Sequence, residues 1–272
     1  MKVTILGSGT SMGVPVLGCS CAVCRSSDPK NKRLRVSVLV ETQAKKILID
    51  TSPDLRQQAL RAGVSCVDAI LFTHAHADHA HGVDDTRLFN VNNRFQTIPT
   101  FASPDTAELL LARFGYCFGL SSYPGAPKLS MTAVSGKFEA VGVPVEAIPL
   151  PHGQGGMVYG FRFGAFAYLT DCNDVPPAAV ERLRGLDVLV LDCLRKEPHP
   201  THLHLARSLE LAREIGARRT LLTHLSHDID ASEAAGLPAG IELAWDGMQF
   251  EAAESAAGER AGGVSKSASL LN

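Results

Sequence analysis

Residues 73–79 read Thr-His-Ala-His-Ala-Asp-His, and chemistry is concentrated in this string. Four ligand-type side chains, His74, His76, Asp78 and His79, fall within six positions, which no packing pattern requires. His74 and His76 follow the apolar run Ala69–Thr73, so one extended segment can aim both at a single point, because residues two apart in a strand share a face. Asp78 and His79 then begin a turn or helix aimed at a second point nearby. Neutral imidazole and carboxylate suit first-row divalent cations. The bland alternative is a polar loop that happens to hold several histidines. His81 lies just past the string and reads as a neighbour rather than a ligand.

A second cluster is Gly18-Cys19-Ser20-Cys21-Ala22-Val23-Cys24. The chain has seven cysteines, an odd count, and in a reducing compartment three so close together read as a metal site before they read as disulfides. Cys19, Cys21 and Cys24 can meet one ion, but structural zinc takes four tetrahedral ligands, so one must come from elsewhere. His227, three residues after His224, is the candidate. A reducible thiol loop is the alternative. Cys66, Cys117, Cys172 and Cys193 are scattered and read as small buried apolar residues.

These clusters need elements to hold them. The pattern predicts strands at Lys2–Leu6, Val36–Val40, Lys46–Ile49, Ala69–Thr73, Val145–Pro149, Val188–Leu191, Thr220–Thr223 and Ile241–Ala244, with a hairpin of Tyr159–Phe163 and Ala165–Leu169 around Gly164. Helices are predicted at Pro53–Ala62, ended by Gly63, near Thr86–Asn90, at Pro104–Phe114, and over His204–Ile215, whose apolar residues lie near helical spacing. Strands in both halves with helices between them suggest two packed sheets flanked by helices. The expected domain covers residues 1–250, and residues 251–272, rich in Ala, Ser, Gly and charge, are expected to be a flexible tail. Gly7-Ser8-Gly9-Thr10 could suggest dinucleotide binding, but that reading needs a helix directly after the glycines, and Val14-Pro15 and the cysteines follow instead.

Composition narrows the function classes. Apolar residues make up 45% and charged residues 20%, as in ordinary globular domains. A net charge of -2 gives no reason to expect stable nucleic-acid binding. No apolar run is long enough for a membrane span, and the first residues do not form a signal peptide, so a cytoplasmic location is expected.

His-Ala-His-Ala-Asp-His after an apolar strand resembles the signature of the metallo-β-lactamase superfamily. The resemblance implies an α/β (α+β) fold, a four-layer αββα sandwich with metals at one edge. It also implies three further ligands, which match His152 in Pro151-His152-Gly153, Asp171 after the hairpin, and His224 after Thr220–Thr223. By the same resemblance, His74, His76 and His152 hold one divalent metal, and Asp78, His79 and His224 the other. Asp171 bridges them, and the metals are zinc or manganese. Such ions sit about 3.5–4 Å apart and share a hydroxide, because a bound metal lowers the pKa of water toward about 7. Asp50, ending Ile47-Leu48-Ile49-Asp50, matches an acidic residue that orients a histidine, or it is only a strand-end cap.

The cysteine cluster with His227, and the stretch Gly7–Pro15, make the chain similar to one branch, the phosphoribosyl cyclic phosphodiesterases of phosphonate breakdown. The likeness covers most of residues 4–230 and implies a structural zinc on Cys19, Cys21, Cys24 and His227. It implies that His202, 22 residues before His224, protonates the leaving group, with Asp78 also counted among the catalytic residues. Histidine suits that task because its pKa lies near 6.5. Arg87, in Asp84–Asn90, can meet a phosphate as a planar fork or lie on a solvated helix face. His199 and His204 read as exposed. The expected protein is a phosphodiesterase acting on a small phosphorylated sugar or nucleotide, and the resemblance implies a homodimer. Rivals on the same fold are a thioesterase, a lactonase, an RNA-processing nuclease and, outside enzymes, a metal-binding nucleotide sensor.

Overall fold

The computed structural model describes residues 1–119 and 124–254. Its strands are β1 (Lys2–Gly7), β2 (Ser37–Thr42), β3 (Lys45–Ile49), β4 (Ala69–Leu71), β5 (Ile98–Ala102), β6 (Leu129–Ala133), β7 (Lys137–Ala140), β8 (Val143–His152), β9 (Gly156–Phe163), β10 (Phe166–Leu169), β11 (Val188–Asp192), β12 (Arg219–Thr223), β13 (Ile241–Leu243) and β14 (Gln249–Glu251). The described residues form two seven-stranded sheets, ordered β14-β1-β2-β3-β4-β5-β6 and β13-β12-β11-β10-β9-β8-β7. In the first, β3 through β6 run parallel; in the second, β10 through β13 do.

Side-chain alternation explains why both faces of each sheet are covered. Val38 and Val40, Ile47 and Ile49, and Ala69 and Leu71 point between the sheets, where they meet Phe161, Phe166, Tyr168, Val188, Val190 and Leu221. The intervening Leu39, Leu48 and Ile70 face outward onto Leu55, Ala107 and Leu110 of the helices Leu55–Ala62 and Pro104–Phe114. In the second sheet Leu189, Leu191 and Leu222 do the same onto Val180, Leu211 and Ile215 of the helices Pro177–Arg182 and Leu205–Ile215. Strands buried on both faces read as near-continuous apolar runs, and these do. The result is the αββα sandwich. Among the described residues, no helix is long and apolar enough to cross a membrane.

Local signals work as their chemistry requires. Gly63 and Gly216 end their helices at φ 66° and 71°, where a side chain is strained. Ser103 caps the helix at Pro104 by accepting from the Thr106 N–H. Several expectations need correction. The helix near Thr86–Asn90 is a 3₁₀ turn, Val83–Thr86, followed by an α-helix, Arg87–Asn92. The Pro53–Ala62 helix begins at Leu55. The expected domain end at 250 falls inside β14, which pairs with β1, and the Met1 ammonium donates to Ala252 O at 2.8 Å. The rest of the expected tail, from residue 255, lies outside the described residues.

Candidate metal centre

Strand ends from both sheets meet at one edge of the sandwich. The first sheet supplies Asp50, directly after β3, and the loop after β4, which carries Thr73, His74 and His76 into the short helix Ala77–Ala80 with Asp78 and His79. The second sheet supplies His152 at the end of β8, Asp171 after β10, Asp192 at the end of β11 and His224 after β12. Asp50, Asp171 and His224 sit at φ 62°, 57° and 60°. Left-handed backbone at a non-glycine residue costs on the order of 1–3 kcal/mol and persists where the surroundings enforce it. Here it turns each side chain off its strand end into the site.

The side chains form two adjoining groups. The ligand atoms of His74, His76 and His152 lie within 4.8 Å of one another, as do those of Asp78, His79, Asp171 and His224. His79 Nε2 is 3.2 Å from both Asp78 Oδ2 and Asp171 Oδ2, and His224 Nε2 is 3.4 Å from Asp171 Oδ1. His74 Nε2, His79 Nε2 and His224 Nε2 are buried and have no hydrogen-bond partner. Buried polar atoms are rarely left so, and three imidazole nitrogens converging on carboxylates fit a divalent cation. Several of the rings are fixed from behind through their Nδ1 atoms. His79 Nδ1 donates to Asp50 Oδ2 at 2.7 Å, and His152 Nδ1 to Thr201 O at 3.0 Å, which leaves each Nε2 free. Asp50 in turn accepts from the Thr73 N–H and hydroxyl, and His74 Nδ1 lies 3.0 Å from that hydroxyl.

Charge and burial sort the protonation states. Burial, helped by His79, pushes His74 well below the usual imidazole range, so it stays neutral, the form that binds metal. Burial lowers His152 as well. Burial would raise Asp78, but the neighbouring His79 and His224 rings hold it well below the carboxylate range. For His79 burial is outweighed by Asp171, Asp50 and Asp78, which raise it well above the ordinary value. A cation among these carboxylates answers the same field.

His202 adjoins both groups. Its ring stacks on His224 at 4.6 Å and stands edge-on to His152 at 5.1 Å. Its buried Nδ1 is 3.6 Å from Asp192 Oδ2 and 3.9 Å from Asp171 Oδ1. Asp192 was not anticipated from sequence. It is fully buried, accepts from the N–H groups of Leu203 and Asp171, and lies 3.5 Å from His224 Nδ1. Its signal was present: Val-Leu-Val-Leu-Asp192 repeats the pattern of Ile-Leu-Ile-Asp50. His199 and His204 are half-buried rather than exposed, because His199 packs against the His202 ring at 5.3 Å and His204 sits at the N-terminus of the Leu205–Ile215 helix. Arg87 is held by Asp84, an exposed pair one helical turn apart, and its charge is answered there.

The cysteine cluster closes on the expected histidine. Cys19, Cys24 and Cys21 Sγ lie 3.3, 3.5 and 3.6 Å from His227 Nδ1. A zinc tetrahedron with bonds of about 2.3 Å to sulfur and about 2.05 Å to nitrogen has S–N edges of about 3.5 Å, so these four residues fit that ion. Buried Arg33 ties this loop to the segment that carries His224 and His227, donating to Ser226 O at 2.7 Å, Ile229 O at 2.8 Å and Asn31 Oδ1 at 3.0 Å.

Comparison with known proteins agrees with this architecture. The family described as Beta-lactamase superfamily domain matches residues 45–225. An octanoyltransferase of Porphyromonas gingivalis is 37% identical over 92% of this chain, which spans 51% of that protein, about half its length. A solved diphosphatase from the PhnP family is 45% identical, with 92% of this chain and 97% of that one covered and a TM-score of 0.85. Zn(2+)-bound PqqB from Methylobacterium extorquens, 22% identical over 92% of this chain and 100% of that one, shares the fold with a TM-score of 0.74.

Proposed function

The chain belongs to the beta-lactamase superfamily, and on that premise we propose that this metal-dependent hydrolase cleaves a phosphate ester or anhydride in a small phosphorylated molecule. His74, His76 and His152 would hold one divalent cation, and Asp78, His79 and His224 a second, with Asp171 facing both. Cys19, Cys21, Cys24 and His227 would hold a structural zinc. When bound, active-site metals supply Lewis acidity and lower the pKa of water. The protein's own part is to orient the ligands from behind, through Asp50, Thr73 and Thr201, and to bring a proton to the departing oxygen.

His202 is the observation that carries this reading. Its Nδ1 faces Asp192 and Asp171, which leaves Nε2 as the atom able to give a proton to a leaving oxygen. An alkoxide leaves phosphorus poorly and needs that proton. The likeness to a diphosphatase supports phosphoryl chemistry. An acyl substrate is the second reading, favoured by the 37% identity to an octanoyltransferase.

The test is a screen of cyclic phosphates, linear diesters, diphosphates, an octanoyl thioester and a lactam, with zinc or manganese added. His202→Ala should slow a diester with a sugar-hydroxyl leaving group about 10²–10⁴-fold, the usual worth of general acid help. A diester that releases p-nitrophenolate should suffer far less. Equal slowing of both with metal content intact would make His202 a positioning group. Turnover of the thioester or lactam alone would sink the phosphoryl reading.

A further inference from the structure

At the rim of the metal centre, Arg113 presents a guanidinium that no carboxylate among the described residues answers. Arg113 lies in the last turn of the helix Pro104–Phe114 and is exposed. Its Nη1 donates to the carbonyl of Ala75, the residue between His74 and His76. His76 is the exposed member of the first histidine group, so this is the open shoulder of the site. The neighbouring Phe114 stands edge-on to exposed His81 at 5.4 Å, which extends the same wall past the end of the histidine string.

Other cations of these loops are already engaged. Arg87 is held by Asp84, Arg35 by Asp54 and Lys196 by Glu233, and Arg195 donates to the carbonyls of Glu197 and Pro198. Among the described residues, Arg113 has no carboxylate within ion-pair distance, and the Ala75 carbonyl is its hydrogen-bond partner. A guanidinium has five N–H donors in a fixed fork, so most remain to be used. A cation anchored to the loop that presents two metal-binding histidines repels the metal it adjoins. An anionic group between the two turns that repulsion into attraction on both sides.

We propose that Arg113 is a substrate-binding residue that takes a non-bridging phosphate oxygen, with its Ala75 hydrogen bond fixing the fork beside His76. The proposal rests on the phosphoryl reading for the nature of the anion, but not for the existence of an anion site. It assigns to Arg113 the phosphate contact expected of Arg87. The helix C-terminus suits the arrangement, since its partial negative charge favours a cation in the last turn.

The experiment uses the full-length, metal-loaded protein and inorganic phosphate as probe, titrated by calorimetry so that no turnover is needed. Arg113→Gln should weaken phosphate binding roughly 10- to 100-fold, the worth of a hydrogen bond to a charged group. Arg113→Lys, which keeps the charge, should recover part of the loss. Metal content by elemental analysis should match the parent. For a charged diester the substitution should act mainly on KM, and the loss in kcat/KM should be at least about tenfold larger than for an uncharged p-nitrophenyl ester. If metal is lost together with phosphate affinity, or if charged and uncharged esters suffer alike, Arg113 merely braces the loop and the proposal is overturned. If phosphate affinity falls as expected while no phosphoester is turned over, the anion site stands and the phosphoryl function falls. If a diester is hydrolysed and Arg113→Gln leaves phosphate affinity within about twofold, the function stands and this inference falls.

Discussion

Asp192 is a buried carboxylate with four partners around it, two backbone N–H groups and two histidine rings. It receives the Asp171 N–H at 3.2 Å and the Leu203 N–H at 2.9 Å, so it fixes the backbone on both sides of the site at once. It also lies 3.5 Å from His224 and 3.6 Å from His202, and so orients a candidate ligand and a candidate acid together. Asp192→Asn keeps the volume but removes the charge and half the acceptor capacity. We expect activity or metal affinity to fall about 10–100-fold, the usual loss when a group behind a metal ligand is changed. Elemental analysis beside steady-state rates separates the two effects. A variant within twofold of the parent in both would show that Asp192 only caps its strand. The string His74–His79 was legible because its ligands are contiguous in sequence, whereas Asp192 ends an apolar strand and looks locally like an ordinary cap. Its role exists only once β10, β11 and β12 lie side by side.

At the scale of elements, legibility followed burial. β3 and β11 are apolar on both faces and announced themselves, but β5 contains Pro99, β6 is a half-exposed edge strand, and β14 is three residues long. None of these carries a strong alternating pattern, and their partners decide their conformation. The cysteine loop is the opposite case, since spacing alone revealed three of its four candidate ligands and the fourth comes 203 residues after Cys24. Its chemistry sets a pH dependence. The Cys24 backbone N–H lowers the Cys21 thiol to about 7, whereas burial raises Cys24. Each thiol must surrender its proton before it binds metal. Above pH 7 Cys21 has already done so, and of this pair only Cys24 contributes. Below that point both must be stripped, so apparent zinc affinity should fall about 100-fold per pH unit from these two residues. Competition with a chromophoric chelator between pH 6 and 8 reads the slope directly. Below pH 7, Cys21→Ser should reduce the parent's slope by one proton, and an unchanged slope would remove Cys21 from the ligand set.

Across the whole molecule, the candidate ligands divide between the two sheets. His74, His76, Asp78 and His79 follow β4 of the first, and His152, Asp171 and His224 end strands of the second. At the far end the sheets are tied by apolar packing, with Phe250 of β14 against Phe166 of β10 at 6.0 Å. At the metal edge the interior turns polar, with Asp50, Asp171, Asp192 and His79 all buried. Burying that many ionisable groups is costly unless opposite charge is present among them. Bound metal should therefore hold the sheets together at this edge, and a ligand that binds only the folded state raises stability by mass action. At a free concentration about 100 times its dissociation constant, each such ion contributes about 2.7 kcal/mol. The thiolate site must first be taken out of the comparison, so the measurement belongs on the Cys21→Ser protein. Scanning calorimetry of that variant, stripped by chelator and then resupplied with zinc or manganese, should show melting temperature rising with the logarithm of metal concentration. The increase should continue with concentration until metal also binds the cysteines and histidines of the unfolded chain. His152→Ala should flatten the dependence by removing a ligand from the second sheet while leaving the first sheet's set intact. A melting temperature indifferent to metal in the Cys21→Ser protein would mean that the histidines and aspartates converge without binding an ion, and the hydrolase reading would lose its foundation.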